Sequence, residues 1–118
     1  MIKNYPAQYE IWVADLDPPI GSEPGKVRPI VILQTDSLNR IGHSTFVACA
    51  ISSQQREGVS LIRLLVEPTD FNGLLRNSYI LCDQIRSIDM HRLKGRIGVL
   101  DKQTIQLLNE SIKAILSL

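Results

Sequence analysis

The chain has 118 residues, which suits a single domain over residues 1–118 and is too short for two domains with separate hydrophobic cores. It carries 13 Lys and Arg residues against 12 Asp and Glu residues, giving a formal net charge of +1. That balance excludes a highly charged, tail-like protein and gives no global signal for nucleic-acid binding. With 44% hydrophobic and 21% charged residues, the composition is that of an ordinary globular protein, neither disordered nor membrane-spanning.

The N-terminal segment and the two cysteines favour a reducing compartment, so we expect the cytoplasm. Residues Met1–Glu10 contain no apolar stretch of the kind that a secretory signal needs. Cys49 and Cys82 lie inside apolar, strand-like runs, where a small buried thiol is a better interpretation than a disulfide. Together with His43 and His91 they have unrelated spacings, so we expect no zinc site, no other metal site and no cofactor.

The first third of the chain predicts two strands separated by a long loop. Glu10–Asp17 is rich in strand-forming residues and ends at two prolines, which cannot continue a strand ladder. Ile20–Val27 contains two glycines and a proline in eight residues, which predicts a loop. Pro29 then opens the apolar run Ile30–Leu33, and the first residue of a strand is an allowed place for proline. Long loops in compact domains are often functional.

The remainder of the chain predicts further short strands and one helix. Thr35–Gly42 and Phe71–Gly73 are typical of turns. The predicted strands are Phe46–Ile51, Val59–Val66, Ser78–Ile88 and the short segment Arg96–Val99. Asp101 is a candidate N-cap, and an apolar stripe with helical spacing follows it at Ile105, Leu108, Ile112 and Ile115. The absence of βαβ alternation favours a mainly β, partly closed antiparallel barrel with a C-terminal helix.

Arg28 and Ser52 are candidate site residues because each lies where a predicted strand meets a loop. Arg28 precedes a proline, which restricts its backbone to extended conformations, and its planar guanidinium matches phosphate oxygens. The alternative is a surface arginine that fills the junction between loop and strand. Ser52 is the first polar residue after a six-residue apolar run and can hydrogen-bond a ligand, although strands commonly end in serine.

Asp83 and a basic cluster are further candidates. Alternation along the predicted strand places Asp83 on the same face as Tyr79, Leu81 and Ile85, where a carboxylate needs either an arginine partner or a chemical task. Four basic residues follow within eleven positions, opposed by Asp89 alone. These four residues are Arg86, Arg92, Lys94 and Arg96. They form either a solvated face or a local patch that binds RNA phosphates.

The order of these segments resembles the MazF/PemK (Kid-like) toxins of bacterial toxin–antitoxin pairs. The resemblance rests on Ile11–Pro18, Gly21–Glu23, Arg28–Ile32, Cys82–Asp89 and Arg92-Leu93, and it extends from about residue 8 to residue 116. It implies an SH3-like barrel, a homodimer and a cognate antitoxin partner. It also implies a sequence-specific, metal-independent endoribonuclease that cleaves single-stranded RNA, chiefly mRNA, and acts without a membrane.

By the same resemblance, catalysis is carried by Arg28 and Ser52, with functional roles for Glu23 and Asp83. The expected RNA-binding residues are Ser22, Lys26, Gln54, Arg56, Gln84 and Arg86. In metal-free cleavage the 2′-OH of RNA attacks the adjacent phosphate and leaves a 2′,3′-cyclic phosphate and a 5′-OH end. Arginine suits stabilisation of the phosphorane, and because a guanidinium has only N–H donors and no acceptor we assign proton acceptance to Glu23 or Asp83. Family accounts also give the arginine a role in proton transfer.

Three departures from the family pattern keep other functions open. Tyr9 replaces the usual glycine before the acidic residue of the first strand, Ser52 replaces the commoner threonine, and Leu81 replaces an arginine of Kid-like members. Arg86 or Arg56 can substitute for that cation. One alternative is a catalytically silent RNA- or protein-binding barrel. Another is a CcdB-like gyrase-binding toxin, against which the ending Leu116-Ser-Leu118 counts because that toxin acts through a Trp-Gly-Ile end.

Overall fold

An antiparallel sheet of six strands organises the computed structural model, which describes residues 5–18, 20–21, 25–54 and 62–118. The strands are β1 (Glu10–Asp15), β2 (Val27–Ile32), β3 (Thr45–Ser52), β4 (Arg63–Val66), β5 (Ser78–Asp89) and β6 (Leu93–Val99). Their spatial order is β4-β5-β3-β2-β1-β6, so within these residues the sheet is open, with β4 and β6 at its edges. The helices are α1 (Asp36–Arg40) and α2 (Lys102–Leu116), and Met90–Arg92 forms a 3-10 turn before β6. Ser22, Glu23 and Arg56 lie outside the described residues.

Both faces of the sheet are apolar, which explains why the second half of β2, Ile30–Ile32, is an unbroken hydrophobic run. Ile30 and Ile32 are fully buried in one cluster, with Phe46 and Ile88, while Val31 is fully buried in a second cluster on the opposite face. Successive side chains of a strand point to opposite faces, so a strand covered on both sides needs apolar residues throughout. The sheet therefore forms a barrel-like body with two packed layers.

The helix α2 covers the second cluster. The Asp101 side chain accepts a hydrogen bond from the Thr104 N–H at 2.7 Å, which confirms the predicted N-cap. Leu108 is fully buried, and three partly buried residues of the predicted stripe pack against the same cluster: Ile105, Ile112 and Ile115. No helix in the described residues is long and apolar enough to cross a membrane.

Three segments differ from the predicted elements. The strand β2 begins at Val27, inside the predicted loop, so Pro29 is its third residue rather than its first. Residues 36–40, predicted as a turn, form the short helix α1, whose Asn39 is fully buried and exchanges side-chain hydrogen bonds with Gln34. The last strand begins at Leu93 rather than at Arg96. The predicted strand Ser78–Ile88 is confirmed as β5. The fourth strand is confirmed only in its second half, β4, because residues 59–61 lie outside the described residues.

Candidate functional site

A groove of about 640 Å³ opens at the end of the sheet where β2 begins and β3 ends. It is lined by residues from four parts of the fold: the start of β2, the end of β3, the connection between β4 and β5, and the strands β1 and β6. Its polar side includes Lys26, Arg28, Ser52, Gln54 and Arg76. Its apolar floor includes Val13, Leu74 and Ile97. The groove is therefore a mixed polar and apolar surface of the size that ligand sites occupy.

Arg28 and Ser52 lie in the same groove. The ladder between β2 and β3 ends at the pair of Ile30 and Ala50, and Arg28 and Ser52 each lie two residues beyond that pair, where both line the groove. Both are half-buried. The Arg28 Nε donates a hydrogen bond to the carbonyl oxygen of Gly25 at 2.7 Å, which fixes the guanidinium at the groove. The two residues expected to carry catalysis therefore lie at one site.

Lys26 precedes Arg28 in the same wall of the groove. Its backbone has φ +65°, in the left-handed region that L-residues rarely adopt, and its N–H donates to the Asp17 carboxylate. The Ser52 hydroxyl accepts from the Gln54 N–H at 3.2 Å, which shapes the chain just after β3. Lys26 and Gln54, both expected to bind RNA, therefore lie in the groove with the catalytic candidates.

The charge of the groove is of one sign in the part that the structure describes. Of the described lining residues, Lys26, Arg28 and Arg76 are cationic and none is acidic. A cleft lined by charges of one sign focuses the field and attracts ligands of the opposite charge. The groove is suited to an anionic ligand, although the chain as a whole has a net charge of only +1.

Asp83 lies away from this groove, and its predicted position on one face with Leu81 and Ile85 is wrong. Leu81 packs in one cluster and Ile85 packs against the other, because β5 bulges where it pairs with β3. The Asp83 carboxylate is 3.9 Å from the Arg63 Nη1, the arginine partner foreseen as one of its two roles. Asp83, Gln84 and Arg86 do not line the groove.

The predicted basic cluster is not one patch, because two of its members are occupied with structural tasks. The Arg96 Nε donates to the nearly buried Glu10 carboxylate, which also accepts from the Trp12 Nε1–H at 3.1 Å. The Arg92 Nη1 donates to the backbone carbonyls of Asp15 at 3.1 Å and Asp17 at 2.7 Å. These two arginines hold the first strand and its exit, rather than presenting a row of charges to a ligand.

The cysteines are buried, as the sequence predicted, and the histidines are exposed. Cys49 and Cys82 are buried free thiols, and burial raises the pKa of Cys49 to about 12 and also raises the pKa of Cys82. His43 and His91 are exposed, and the His91 Nδ1 is 2.7 Å from an Asp89 carboxylate oxygen. Across the described ranges, His, Cys, Asp and Glu side chains form no group of three or more that can hold a metal ion.

Sequence reasoning missed Arg76 as a groove residue. It follows Phe71–Gly73, which the sequence marks only as a turn, and it reaches the site because the connection between β4 and β5 folds over the end of the sheet. A basic residue shortly after a turn was the sole signal in the sequence. Such a signal is too common on protein surfaces to indicate a site.

Comparison with known proteins places the chain in a family. Residues 7–116 match the family model described as PemK-like, MazF-like toxin of type II toxin–antitoxin system. Endoribonuclease EndoA of Bacillus subtilis (strain 168) is 35% identical over 109 residues, covering 92% of this chain and 92% of that protein. Endoribonuclease MazF of Staphylococcus saprophyticus is 33% identical over 109 residues, covering 92% of this chain and 89% of that protein.

A solved structure agrees with this placement. The Mycobacterium tuberculosis toxin MazF-mt6 has a TM-score of 0.74 to this chain at 26% identity, covering 92% of this chain and 97% of that one. The protein thus has the barrel-like fold of these toxins, with a groove whose described lining residues include three cations and no acid. It belongs to the PemK-like, MazF-like toxins of type II toxin–antitoxin systems. The predicted family and fold are confirmed, and the predicted enzyme class is confirmed by two relatives that are named endoribonucleases.

Proposed function

We propose that this toxin is a sequence-specific, metal-independent endoribonuclease that cleaves single-stranded RNA, chiefly mRNA. The observation that supports this most is the groove that Arg28 and Ser52 both line, with three cationic and no acidic side chains among its described lining residues. A phosphodiester backbone is the anion that such a groove fits, and its apolar floor can contact the bases of an unpaired strand.

Arg28 stabilises the charge that develops during cleavage. The 2′-oxygen forms a bond to phosphorus while the bond from phosphorus to the 5′-oxygen breaks, and the departing 5′-oxygen takes a proton from water, which leaves a 2′,3′-cyclic phosphate and a 5′-OH. The Nε of Arg28 is held by the Gly25 carbonyl, so its remaining N–H groups can donate to the phosphate oxygens. Ser52, which lines the same groove, orients one of these oxygens through its hydroxyl.

A carboxylate takes the proton of the 2′-OH, and we assign this role to Glu23 rather than to Asp83. Asp83 lies beside Arg63 and does not line the groove. Glu23 lies outside the described residues, but it precedes Arg28 by only five positions in the sequence. The two carboxylates are distinguished by the pH profile of cleavage: Glu23→Gln should remove the acidic limb of the profile, and Asp83→Asn should leave it in place.

The direct test of the proposal uses purified protein and a long RNA in the presence of EDTA. We expect cleavage at defined positions, with 5′-OH ends and 2′,3′-cyclic phosphates, and no cleavage where the nucleotide before the cut carries a 2′-O-methyl group. Intact RNA together with trapped gyrase would identify the CcdB-like alternative. Intact RNA with RNA or protein binding alone would identify the silent barrel.

The role of Arg28 is tested by substitution. Arg28→Ala should lower the single-turnover cleavage rate by about 10²–10³-fold, the cost of losing one preorganised donor to a developing oxyanion. The fold should persist, because the Arg28 side chain contributes one hydrogen bond to a loop carbonyl. Arg40→Ala, at the exposed end of α1, is the matched control and should cleave like the wild type. Undiminished cleavage by Arg28→Ala would refute the assignment.

The partners and location follow from the family. The family description names a toxin–antitoxin system, so we propose a cognate antitoxin protein as the regulator. We also propose that residues 1–118 act as one domain, that two copies form a homodimer, and that the toxin acts in the cytoplasm, where mRNA is translated. Light scattering on the purified chain tests the dimer, and co-expression with the protein encoded beside it tests the antitoxin.

A further inference from the structure

We infer that Arg76 is a further RNA-contacting residue, which binds a backbone phosphate of the strand in the groove. This inference rests on the proposed function, since it assumes that the ligand of the groove is RNA. It assigns a role to the connection between β4 and β5, a segment that contains none of the catalytic or RNA-binding residues expected from the sequence. Arg76 would be the third cation of the groove, on the wall formed by that connection rather than by β2.

The connection that carries Arg76 is held rigidly by a buried asparagine. Asn72 is 2% exposed, and its side-chain oxygen accepts from the backbone N–H groups of Thr69 at 3.1 Å and Leu74 at 3.0 Å. Its side-chain nitrogen donates to the Glu67 carbonyl at 2.8 Å. One side chain therefore ties together both ends of the turn that precedes Arg76.

The same turn is docked against β6. The Val99 N–H donates to the Phe71 carbonyl at 2.9 Å, and the backbone around residues 71–73 approaches Gly98 and Ile97 so closely that only glycine fits at positions 73 and 98. On the other side of Arg76, the buried Ser78 hydroxyl donates to the Arg76 carbonyl at 2.9 Å. The backbone of Arg76 is thus fixed from both directions, which lowers the entropic cost of presenting its side chain to a ligand.

The guanidinium of Arg76 is available for an anion. It is exposed, and within the described part of the chain no hydrogen bond or ion pair engages it. Arg92 and Arg96, by contrast, donate to the carbonyls and carboxylate of the first strand. An exposed arginine on a hydrogen-bonded turn, in a groove whose described lining residues include no acid, is suited to a phosphate, which accepts two parallel N–H bonds from a guanidinium.

The experiment measures RNA binding as a function of salt. A mixed-sequence 2′-O-methyl RNA, which cannot be cleaved by 2′-OH attack, is titrated with wild type, Arg76→Ala, Arg76→Lys and the control Arg40→Ala over a series of salt concentrations. Each phosphate contact contributes about −0.7 to the slope of log K against log salt for a single strand. We expect Arg76→Ala to bind about tenfold more weakly and its slope to be shallower by about 0.7, in keeping with the loss of one charged hydrogen-bonding contact.

The conservative variant separates a charge contact from a structural effect. Arg76→Lys should keep the wild-type slope, and Arg40→Ala should keep both affinity and slope; thermal unfolding shows whether each variant is folded. A wild-type slope in Arg76→Ala would overturn the inference, even if the wild type cleaves RNA. If Arg76→Ala shows a shallower slope but the wild type does not cleave unmodified RNA, the result would support the phosphate contact and refute the nuclease activity. A wild type that binds no RNA would refute both.

Discussion

Replacing Gly98 by alanine tests whether the close packing of the turn before Arg76 against β6 is required. An alanine Cβ at position 98 would meet the carbonyl carbon and oxygen of Asn72 and the carbonyl oxygen of Phe71, well inside van der Waals contact. These are backbone atoms, so they cannot move aside as a flexible side chain would. The turn itself would have to leave β6.

The expected cost follows from what that displacement breaks. Overpacking at a rigid contact costs about 1–3 kcal/mol. Separating the turn from β6 also removes the hydrogen bond from the Val99 N–H to the Phe71 carbonyl, worth about 1 kcal/mol net. The sum is about 2–4 kcal/mol, which lowers the unfolding midpoint of a domain of this size by about 10 °C.

Gly95→Ala is the matched control, because Gly95 lies in the same strand and its added Cβ would have no neighbour within 4 Å. We expect its unfolding free energy to stay within about 1 kcal/mol of the wild type. Thermal denaturation of both variants provides the measurement, and RNA binding shows whether Gly98→Ala also misplaces Arg76. Equal midpoints for the Gly98→Ala and Gly95→Ala proteins would show that the close approach is not needed.

Two further predictions concern buried polar groups. Burial raises the pKa of Cys49 to about 12, so at pH 8 a thiol reagent should label this cysteine in denaturant but not in the folded protein. Because the folded protein favours the protonated thiol, this contribution to stability is present below the ordinary thiol pKa and is lost as the pH rises toward 12. Rapid labelling of the folded protein at pH 8 would contradict the prediction. Glu10→Gln should lower the free energy of unfolding by about 2 kcal/mol, since it removes the negative charge that faces the half-exposed Arg96. Glu110→Gln, on the exposed side of α2, is the control and should change the free energy of unfolding by less than about 0.5 kcal/mol. Urea titration measures both values.

The elements with a clear hydrophobic period were predictable from the sequence. The stripe and N-cap of α2 and the long strand β5 depend on local patterns that the fold retains. The start of β6 was not predictable, because Gly95 and Gly98 argue against a strand by propensity. Position 98 requires glycine because the backbone of the turn at Asn72 packs directly against it. That contact joins segments distant in the sequence, so no local pattern predicts it.

The groove was predictable only in part. Arg28 and Ser52 could be predicted as site residues because each lies where a strand meets a loop. The family resemblance also assigned both residues to catalysis, and so to one site, before the strand pairing was known. Asp83 could not be placed, since the bulge in β5 breaks the alternation on which its face was inferred. Arg76 is separated from Arg28 by more than forty residues, and its approach depends on how the connection between β4 and β5 packs on β6.

The small net charge and the cationic groove have a common explanation in how the fold sorts its charges. Four of the described acids accept hydrogen bonds or face cations outside the groove lining: Glu10 faces Arg96, Asp17 accepts from the Lys26 backbone, Asp83 faces Arg63 and Asp89 faces His91. Their negative charges count in the total but do not line the groove. Because charges beyond about 10 Å are largely screened at 0.1 M salt, an anionic strand in the groove responds mainly to the nearby cations rather than to the sum. A chain with a net charge of +1 can therefore have a binding site whose affinity for RNA falls steeply as the salt concentration rises. The slope of that salt dependence is the quantity in which the Arg76 contact should be measured.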